Sequence, residues 1–183
     1  PALSEACKYG DIIPVYILDD DGADSWKMGG ASRWWLHHAL ADLNSSLKQS
    51  LQLFHGDASI ILRDLAAQTN AAAITWNRCY EPWRIARDAA IKTALKDVGL
   101  EVKSFNGSLL WEPWQVLKKD GTPYKVFTPY YRRGCLSSAT PRRPMAVPNS
   151  IEIAQNSVRS LSLEDLKLLP KINWDTQMTA RWD

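Results

Sequence analysis

The chain has 183 residues, of which 45% are hydrophobic and 23% are charged, and its formal net charge at pH 7 is +2. This composition is typical of a folded globular domain and lacks the strong basic excess of a protein that binds nucleic acid through charge alone. No apolar run approaches the roughly 18 residues that a membrane helix needs, and we expect neither a membrane span nor a secretory leader.

The first predicted elements alternate between helix and strand. A short helix at residues 1–9 has Pro1 at its first position, where the missing N–H has no intrahelical partner to lose. The apolar run at residues 11–19 is bounded by acids and predicts a strand buried on both faces. After a polar loop, leucines at helical spacing predict a helix over residues 31–50.

The alternation continues to about residue 105. The further predicted elements are strand, helix, strand, helix and strand at residues 51–57, 58–69, 71–77, 81–99 and 100–105. Pro82 in the first turn and Gly99 after the last residue mark the ends of the longest of these helices. Strands that alternate with helices at this pitch indicate βαβ units, so the predicted fold class is α/β with an open, mostly parallel sheet.

The periodicity stops after about Tyr131. The segment "RRGCLSSATPRRPMAVPNS" is rich in Pro, Ser and Arg, as linkers are, and we predict a domain at residues 1–132 followed by a linker at residues 133–183. Within that linker, the segment "SLSLEDLKLLP" predicts one short helix with Ser160 or Ser162 as its N-cap.

Two loops carry the functional expectation, because ligands of open α/β sheets bind beyond the carboxyl ends of the strands. They span residues 19–32 and 77–81. In the first, Gly29 and Gly30 are explained either by an anion bound at the helix start or by a tight turn. The second places basic, soft, aromatic and acidic groups together from Arg78 onwards, which is what a polar, planar ligand needs.

Other motifs indicate structure rather than chemistry. No GxGxxG, P-loop or GxSxG motif is present, so dinucleotide binding, P-loop binding and serine hydrolase chemistry are not indicated. His37 and His38 project about 100° apart on a helix, and we interpret them as structural. Arg84 and Asp88 are spaced for an ion pair on the helix surface.

The cysteine and tryptophan counts set two further expectations. The three cysteines Cys7, Cys79 and Cys135 form no CxxC pair, which predicts a reducing cytoplasm, no disulfide framework and no metal site. The nine tryptophans fit either a core rich in large side chains or a stacking surface for a flat ligand.

Six ordered segments together resemble one family. They are "PALSEAC", "IIPVYILD", "GGASRWWLHHALADL", "WNRCYEPWRIARD", "SFNGSLLWEPW" and "GTPYKVFTPYYR". In this order they resemble the N-terminal domain of the DNA photolyase/cryptochrome family, and most of all the bacterial class I cyclobutane pyrimidine dimer photolyases. The resemblance covers residues 1–132 continuously and extends thinly to "LLPKINWD".

The resemblance implies a Rossmann-like domain of five strands that binds a light-harvesting antenna chromophore, either methenyltetrahydrofolate, a deazaflavin or FMN. In the family, a helical domain that follows carries FAD and the pocket for damaged DNA, so residues 1–183 alone are expected to lack repair activity. The family's first strand, with a "WFRRDLR"-type motif before "NPAL", is absent here. That strand lies in the middle of the sheet, so we expect a gap between the strands at residues 12–18 and 72–76.

The resemblance also implies an antenna site. Its expected contacts are Met28, Ser32, Arg78, Cys79, Glu81, Trp83 and Arg84. Folate-binding relatives carry His, Asn and Glu at the positions of Met28, Trp83 and Arg84, whereas relatives that bind deazaflavin or FMN match the "YEP" turn better. The chromophore is left open among the three, and no residue of this chain is assigned a catalytic role.

Three alternatives remain open. A cryptochrome photoreceptor has the same N-terminal domain. A nucleotide-binding module such as an ATP pyrophosphatase would need an SGGxDS-type loop, which the sequence lacks. A non-catalytic module that docks on the helical domain through "PYKVFTPYYR" fits all the observations, and Arg132, Arg133, Arg142 and Arg143 are candidates either for contacts with DNA phosphates or for simple solvation.

Overall fold

A computed structural model describes residues 1–20, 23, 26–155 and 158–181. The α/β core consists of α1 (Ala2–Ala6), β1 (Val15–Leu18), α2 (Gly30–Ser46), β2 (Gln52–His55), α3 (Ala58–Thr69), β3 (Ala73–Asn77), α4 (Pro82–Asp97) and β4 (Glu101–Phe105). The predicted order of helices and strands and the α/β fold class are therefore confirmed. Within the described residues, no helix is long and apolar enough to cross a membrane.

Some elements are shorter than the sequence predicts. β1 begins at Val15 because Pro14 has no N–H for a ladder, although its carbonyl still accepts from Gln52 N at 2.9 Å. α2 ends at Ser46, and the chain turns away at Lys48 and Gln49, both of which have positive φ. The predicted strand start at residue 11 is therefore wrong because Pro14 cannot donate to the ladder, and the predicted helix end at residue 50 is wrong because the backbone reverses at Lys48 and Gln49.

The strands form two separate parallel pairs, β1 with β2 and β3 with β4. Between β1 and β3 lies a cavity of about 880 Å³, which we call the strand groove; Val15 and Ile17 line it on one side, and Ala73 and Thr75 on the other. The gap expected between these two strands is therefore present.

Helices cover both faces of the strands. α1 lies over β3, where the Thr75 hydroxyl donates to the Ala2 carbonyl at 3.0 Å. On the face shared with α2, Leu18, Leu40 and Leu53 belong to one core cluster. On the opposite face, a second core cluster joins the helices α3 and α4 to the strands, with buried members Ala58, Ile91, Leu95 and Val102.

Beyond β4 the chain has little regular structure. A short helical segment comprises α5 (Phe127–Pro129), a π-helical turn at Tyr130–Gly134 and a 3₁₀ turn at Cys135–Ser137. The last helix is α6 (Thr176–Thr179).

The region predicted as a linker packs back on the core. Glu152 and Ala154 form backbone hydrogen bonds with Ile12, and Leu161 N donates to the Leu53 carbonyl at 2.9 Å on the outer edge of β2. Leu166 and Leu168 are fully buried among the leucines of the first cluster.

The helix predicted in "SLSLEDLKLLP" is reduced to one 3₁₀ turn at Glu164–Leu166. It stops because Lys167 adopts a left-handed conformation, with φ of 50°. The N-cap position of this turn is Leu163, so neither predicted cap holds it, although the hydroxyl of Ser162, the residue before it, accepts from Asp165 N at 3.2 Å. Ser160 instead accepts from Leu53 N at 3.0 Å and so holds the tail to β2.

Candidate functional site

The candidate site is a cavity of about 200 Å³ at the carboxyl ends of β1 and β3, which we call the carboxyl-end cavity. It is lined by Tyr16, Ile17, Leu18, Asp19, Asp20, Ala23, Trp26, Met28, Cys79, Trp83, Arg84 and Arg87. This is the edge at which open α/β sheets bind their ligands.

The first turns of α4 build one wall of the cavity. Pro82 starts the helix after Glu81, its N-cap residue, so Trp83, Arg84 and Arg87 fall on neighbouring positions. The guanidinium carbons of Arg84 and Arg87 lie 5.0 and 5.2 Å from the centroid of the Trp83 ring, within the range of cation–π interaction. These contacts fix an indole and two cations at the cavity wall.

Carboxylates neutralise most of the cations around the cavity. Asp19 accepts from Arg87 at 3.5 Å, and Asp20 accepts from Arg33 at 2.5 Å. Arg84 differs, because its carboxylate partner Glu81 is half exposed and 3.9 Å away. Arg84 therefore has the weakest carboxylate neutralisation of these three arginines, and it is the cation best placed to meet an anionic ligand group.

Tyr16 supplies a hydroxyl to this environment. Burial raises the pKa of Tyr16, and Asp20 raises it further, whereas the positive charges of Arg84 and Arg33 oppose this. The phenol therefore stays protonated at neutral pH and can donate a hydrogen bond to a ligand.

The structure brings four of the seven expected contact residues to this cavity, namely Met28, Cys79, Trp83 and Arg84. Arg84 Nη1 lies 3.4 Å from Cys79 Sγ. Ser32 and Glu81 are exposed and lie outside the lining, as does Arg78.

Arg78 takes part in a separate polar cluster. Its guanidinium donates to Glu112, a residue only 5% exposed, and Tyr80 donates to the other carboxylate oxygen at 2.8 Å. Burial and the Glu112 carboxylate both raise the pKa of Tyr80. Arg78 also donates to the Ser104 carbonyl, and the Trp114 ring lies 5.8 Å from its guanidinium carbon. This cluster connects the ends of β3 and β4 to the loop that follows them.

The ion pair expected between Arg84 and Asp88 is not formed. Asp88 accepts instead from its neighbour Arg87 at 2.7 Å, since Arg84 is turned towards Cys79 and the cavity. Sequence reasoning also missed Tyr16, which is hidden in a run of apolar residues. The position of Arg87 could have been predicted from the sequence, because it stands one helical turn after Trp83 and so lies on the same face of α4.

No metal centre accompanies this cavity in the described part of the chain. No group of three His, Cys, Asp or Glu side chains there is arranged to hold a metal ion. The ring centroids of His37 and His38 are 5.3 Å apart, and burial lowers the pKa of His37, with His38 adding to the effect. Both rings pack on α2 away from the lining of the carboxyl-end cavity, in line with a structural role.

Comparison with known proteins identifies the family. The DNA photolyase family model matches residues 1–149. The deoxyribodipyrimidine photo-lyase of Agrobacterium fabrum is 42% identical over 177 residues, which is 94% of this chain and 36% of that protein. Cryptochrome-2 of Arabidopsis thaliana is 33% identical over 176 residues, or 92% of this chain and 28% of that protein. The chain thus spans about a third of the length of these relatives.

Solved structures agree with this assignment. The crystal structure of a class III photolyase from Agrobacterium tumefaciens matches with a TM-score of 0.88 and 42% identity, covering 98% of this chain and 38% of that one. A photolyase from Sulfolobus tokodaii, described with two FAD molecules, matches at a TM-score of 0.68 and 23% identity, which shows a shared fold, and it covers 93% and 37% of the two chains. The expected class I branch is not supported, since the first of these structures is described as class III. The arrangement of strands, the position of the cavity and these matches agree, and the chain belongs to the DNA photolyase family.

Proposed function

We propose that this chain forms the antenna part of a light-driven DNA repair enzyme and holds a light-harvesting chromophore in the carboxyl-end cavity. The observation that carries the proposal is the Trp83 indole held against Arg84 and Arg87 at the end of the sheet. When bound, such a chromophore absorbs light and passes the excitation to a second cofactor. The residues of this chain bind and orient it and exclude water from one face.

The side chains fit a planar ligand that carries negative charge. The Trp83 ring offers a stacking face, the incompletely neutralised Arg84 attracts an anionic group, and the Tyr16 hydroxyl donates a hydrogen bond. With a volume of about 200 Å³, the cavity is smaller than the roughly 300–1,000 Å³ of sites that enclose a whole drug-sized molecule. It therefore fits one ring system, and the rest of the ligand would extend over Trp26, whose side chain is 81% exposed at the rim.

The chromophore is methenyltetrahydrofolate, a deazaflavin or FMN. Met28, Trp83 and Arg84 stand where the folate-binding relatives of the resemblance have other residues, which favours a flavin-type ring. The Sulfolobus tokodaii photolyase, which shares the fold of this chain, is described with two FAD molecules and the implication of a novel light-harvesting cofactor. Ser32, Arg78 and Glu81 remain candidate contacts only for a ligand that reaches beyond the cavity.

Equilibrium binding tests this assignment. Each of the three chromophores is titrated into the purified chain, and binding is followed by the shift of its absorbance band and the quenching of its fluorescence. We expect one of them to bind and Arg84→Gln to weaken its binding about 10-fold or more, as for loss of a charge-assisted hydrogen bond. Arg63→Gln, an exposed arginine on α3, is the matched control and should leave binding unchanged. No binding by any of the three would refute the antenna role.

The repair activity of the whole protein follows from the same proposal. A helical domain outside residues 1–183 would hold FAD and damaged DNA, and residues 1–183 alone would show no repair. The boundary between domain and linker at residue 132 stays a prediction. So do contacts between DNA and the exposed arginines near that boundary. Three free cysteines are compatible with the reducing cytoplasm we propose as its location.

A cryptochrome photoreceptor is the second candidate, because a plant cryptochrome is 33% identical to this chain. The two are distinguished by assaying the full-length protein for repair of cyclobutane pyrimidine dimers under blue light. A docking role is compatible with both. Phe127 and Tyr131 stack with their ring centroids 5.8 Å apart, and Phe127 is 74% exposed, as expected for a surface that meets another domain.

A further inference from the structure

Part of the wall of the carboxyl-end cavity rests on the tail, by which we mean residues 158–181. Tyr16 and Met28 line the cavity, and both pack against the leucine cluster over β1 and β2. That cluster contains the fully buried Leu166 and Leu168 of the tail, and Leu163 packs against it as well. Because protein interiors are close-packed and transmit displacements, a shift of the tail also shifts these two side chains of the cavity wall.

The first turn of α2 is bonded to the tail. Trp34 is 2% exposed, and its indole N–H donates to Asp175 Oδ2 at 3.0 Å. The neighbouring Trp174 packs against Gly30, where an added Cβ would lie 3.5 Å from the indole ring. A buried indole N–H needs an acceptor, so the carboxylate of Asp175 holds this turn and the tail together.

The same turn of α2 is bonded to the cavity wall. Arg33 pairs with Asp20 at 2.5 Å, and Asp20 lines the cavity. Neighbouring residues of a helix project about 100° apart, so one turn can meet the tail through Trp34 and the cavity through Arg33. Met28 stands just before this helix, which begins without a side-chain cap. Contacts with the tail and with Asp20 therefore determine where the first turn lies.

We propose that Asp175 is a positioning residue for the carboxyl-end cavity, which keeps its binding shape only while the tail is docked on α2. Asp175 does not line the cavity. It acts through Trp34, whose helical turn carries Arg33 and follows Met28. The tail leucines act on the same wall from the core, because they share a cluster with Met28.

The proposal makes the tail and a ligand dependent on each other. A ligand that binds only the docked form also holds the tail in place, by thermodynamic linkage. This part deepens the proposed antenna role and rests on it. The support of the cavity wall by the tail can be measured without any ligand.

Oxidation of Met28 by hydrogen peroxide measures the cavity wall directly. The chain of 183 residues is compared with Asp175→Ala and Asp175→Asn, and mass spectrometry gives the oxidation rate of each methionine. Met145 is 51% exposed and serves as the reference for the peroxide dose. Gln177→Ala, an exposed position on α6, is the matched control and should leave the rate at Met28 unchanged.

We expect Asp175→Ala to speed the oxidation of Met28 about 5-fold or more relative to Met145, because the first turn of α2 opens locally. Asp175→Asn keeps an oxygen that accepts from the Trp34 indole and should restore the slow rate. Alkylation of Cys135, which is 3% exposed, reports opening of the whole fold and should not change. An unchanged rate at Met28, equal rates in the two variants, or a parallel rise at Cys135 would overturn the proposal.

Leu163→Ala gives an independent measurement in case the loss of Asp175 prevents folding. Leu163 packs against the cluster that supports Met28 but is only partly buried, so its truncation is milder than that of a core leucine. Oxidation of Met28 should again become faster while Cys135 stays protected. A folded Leu163→Ala chain with an unchanged rate at Met28 would count against the tail as a support of the wall.

The three candidate chromophores then measure the effect on binding. The one that binds the chain of 183 residues should bind Asp175→Ala about 10-fold more weakly and Asp175→Asn almost as well as the unchanged chain. Its binding should also slow amide exchange at Leu161, whose N–H donates to the Leu53 carbonyl. Equal affinity for the three chains would refute the coupling and leave the antenna role intact. No binding of any chromophore, together with the effect at Met28, would refute the antenna role and leave the tail as the support of the wall.

Discussion

The Arg78 cluster shows how single residues determine what this site can be. Glu112 accepts from Arg78 and Tyr80 while its side chain is almost fully buried. A buried carboxylate is tolerated only when its oxygens are paired, so these residues hold one another in place. Arg78 is therefore used within the protein, whereas Arg84 is left facing the carboxyl-end cavity.

Loss of Glu112 should destabilise the fold. In Glu112→Ala the partly buried guanidinium of Arg78 and the hydroxyl of Tyr80 lose their acceptor, and we expect the free energy of unfolding to fall by about 2–3 kcal/mol. Urea denaturation followed by tryptophan fluorescence measures this. Glu101→Ala removes a carboxylate from an exposed pair with Lys103 and should change stability by less than about 1 kcal/mol. Equal effects of the two variants would contradict the role given to the cluster.

The sequence predicts that residues around the loop after β3 lie near a cavity, but it does not distinguish those that line the cavity from those that pair elsewhere in the protein. Trp83 was expected at the site because it stands near the start of a helix at a strand's carboxyl end. Arg84 was expected there only through the family resemblance, since its spacing to Asp88 predicts a surface ion pair. Arg78 was assigned to the same group, since its partner Glu112 lies 34 positions away in sequence. A pairing at such a distance depends on the path of the loop after β4, which carries no periodic signal.

At the scale of elements, helix ends are fixed by specific side chains or by the backbone. Asp57 accepts from Ser59 N and Ile60 N at 2.7 and 3.1 Å and so caps α3. α2 begins after Gly29 without such a side-chain bond. The apolar spacing predicts both helices. The predicted end of α2 is wrong because the chain reverses at Lys48 and Gln49, which are not residue types that usually signal a helix end.

Removal of the Asp57 cap should therefore be measurable. We expect Asp57→Ala to lower the free energy of unfolding by about 1 kcal/mol, since two amides of the first turn of α3 lose their acceptor. Asp57→Ser retains a capping oxygen and should keep most of the stability. Thermal unfolding followed by circular dichroism compares the two variants, and equal losses would show that the carboxylate does not act as a cap.

At the scale of the whole molecule, the tail belongs to the folded core. Ser160 and Leu161 bond to the outer edge of β2, and Leu166 and Leu168 complete the cluster over β1 and β2. This covers an edge that would otherwise be free to pair with another chain. The composition of this region predicts a linker. Its packing on the core could not be predicted, because Leu166 and Leu168 belong to no helical or strand periodicity that would mark them as buried.

The contribution of the tail is testable with one pair of variants. Leu166 is 2% exposed, and Leu166→Ala should lower the free energy of unfolding by about 2–4 kcal/mol through lost burial and the cavity that remains. Leu169 is 44% exposed, and Leu169→Ala should change it by no more than about 0.5 kcal/mol. Urea denaturation of both variants measures the difference. A loss below about 1 kcal/mol for Leu166→Ala would mean that the tail is not integral to the fold.

The strand groove and the carboxyl-end cavity have a wall in common. Ile17, Cys79 and Arg87 line both of them. Whatever fills the groove therefore restricts three of the side chains against which a ligand rests, and the ligand restricts them in return. By thermodynamic linkage, any factor by which an occupant of the groove changes the affinity of a ligand in the carboxyl-end cavity applies equally in the other direction, so the two binding events share one coupling free energy.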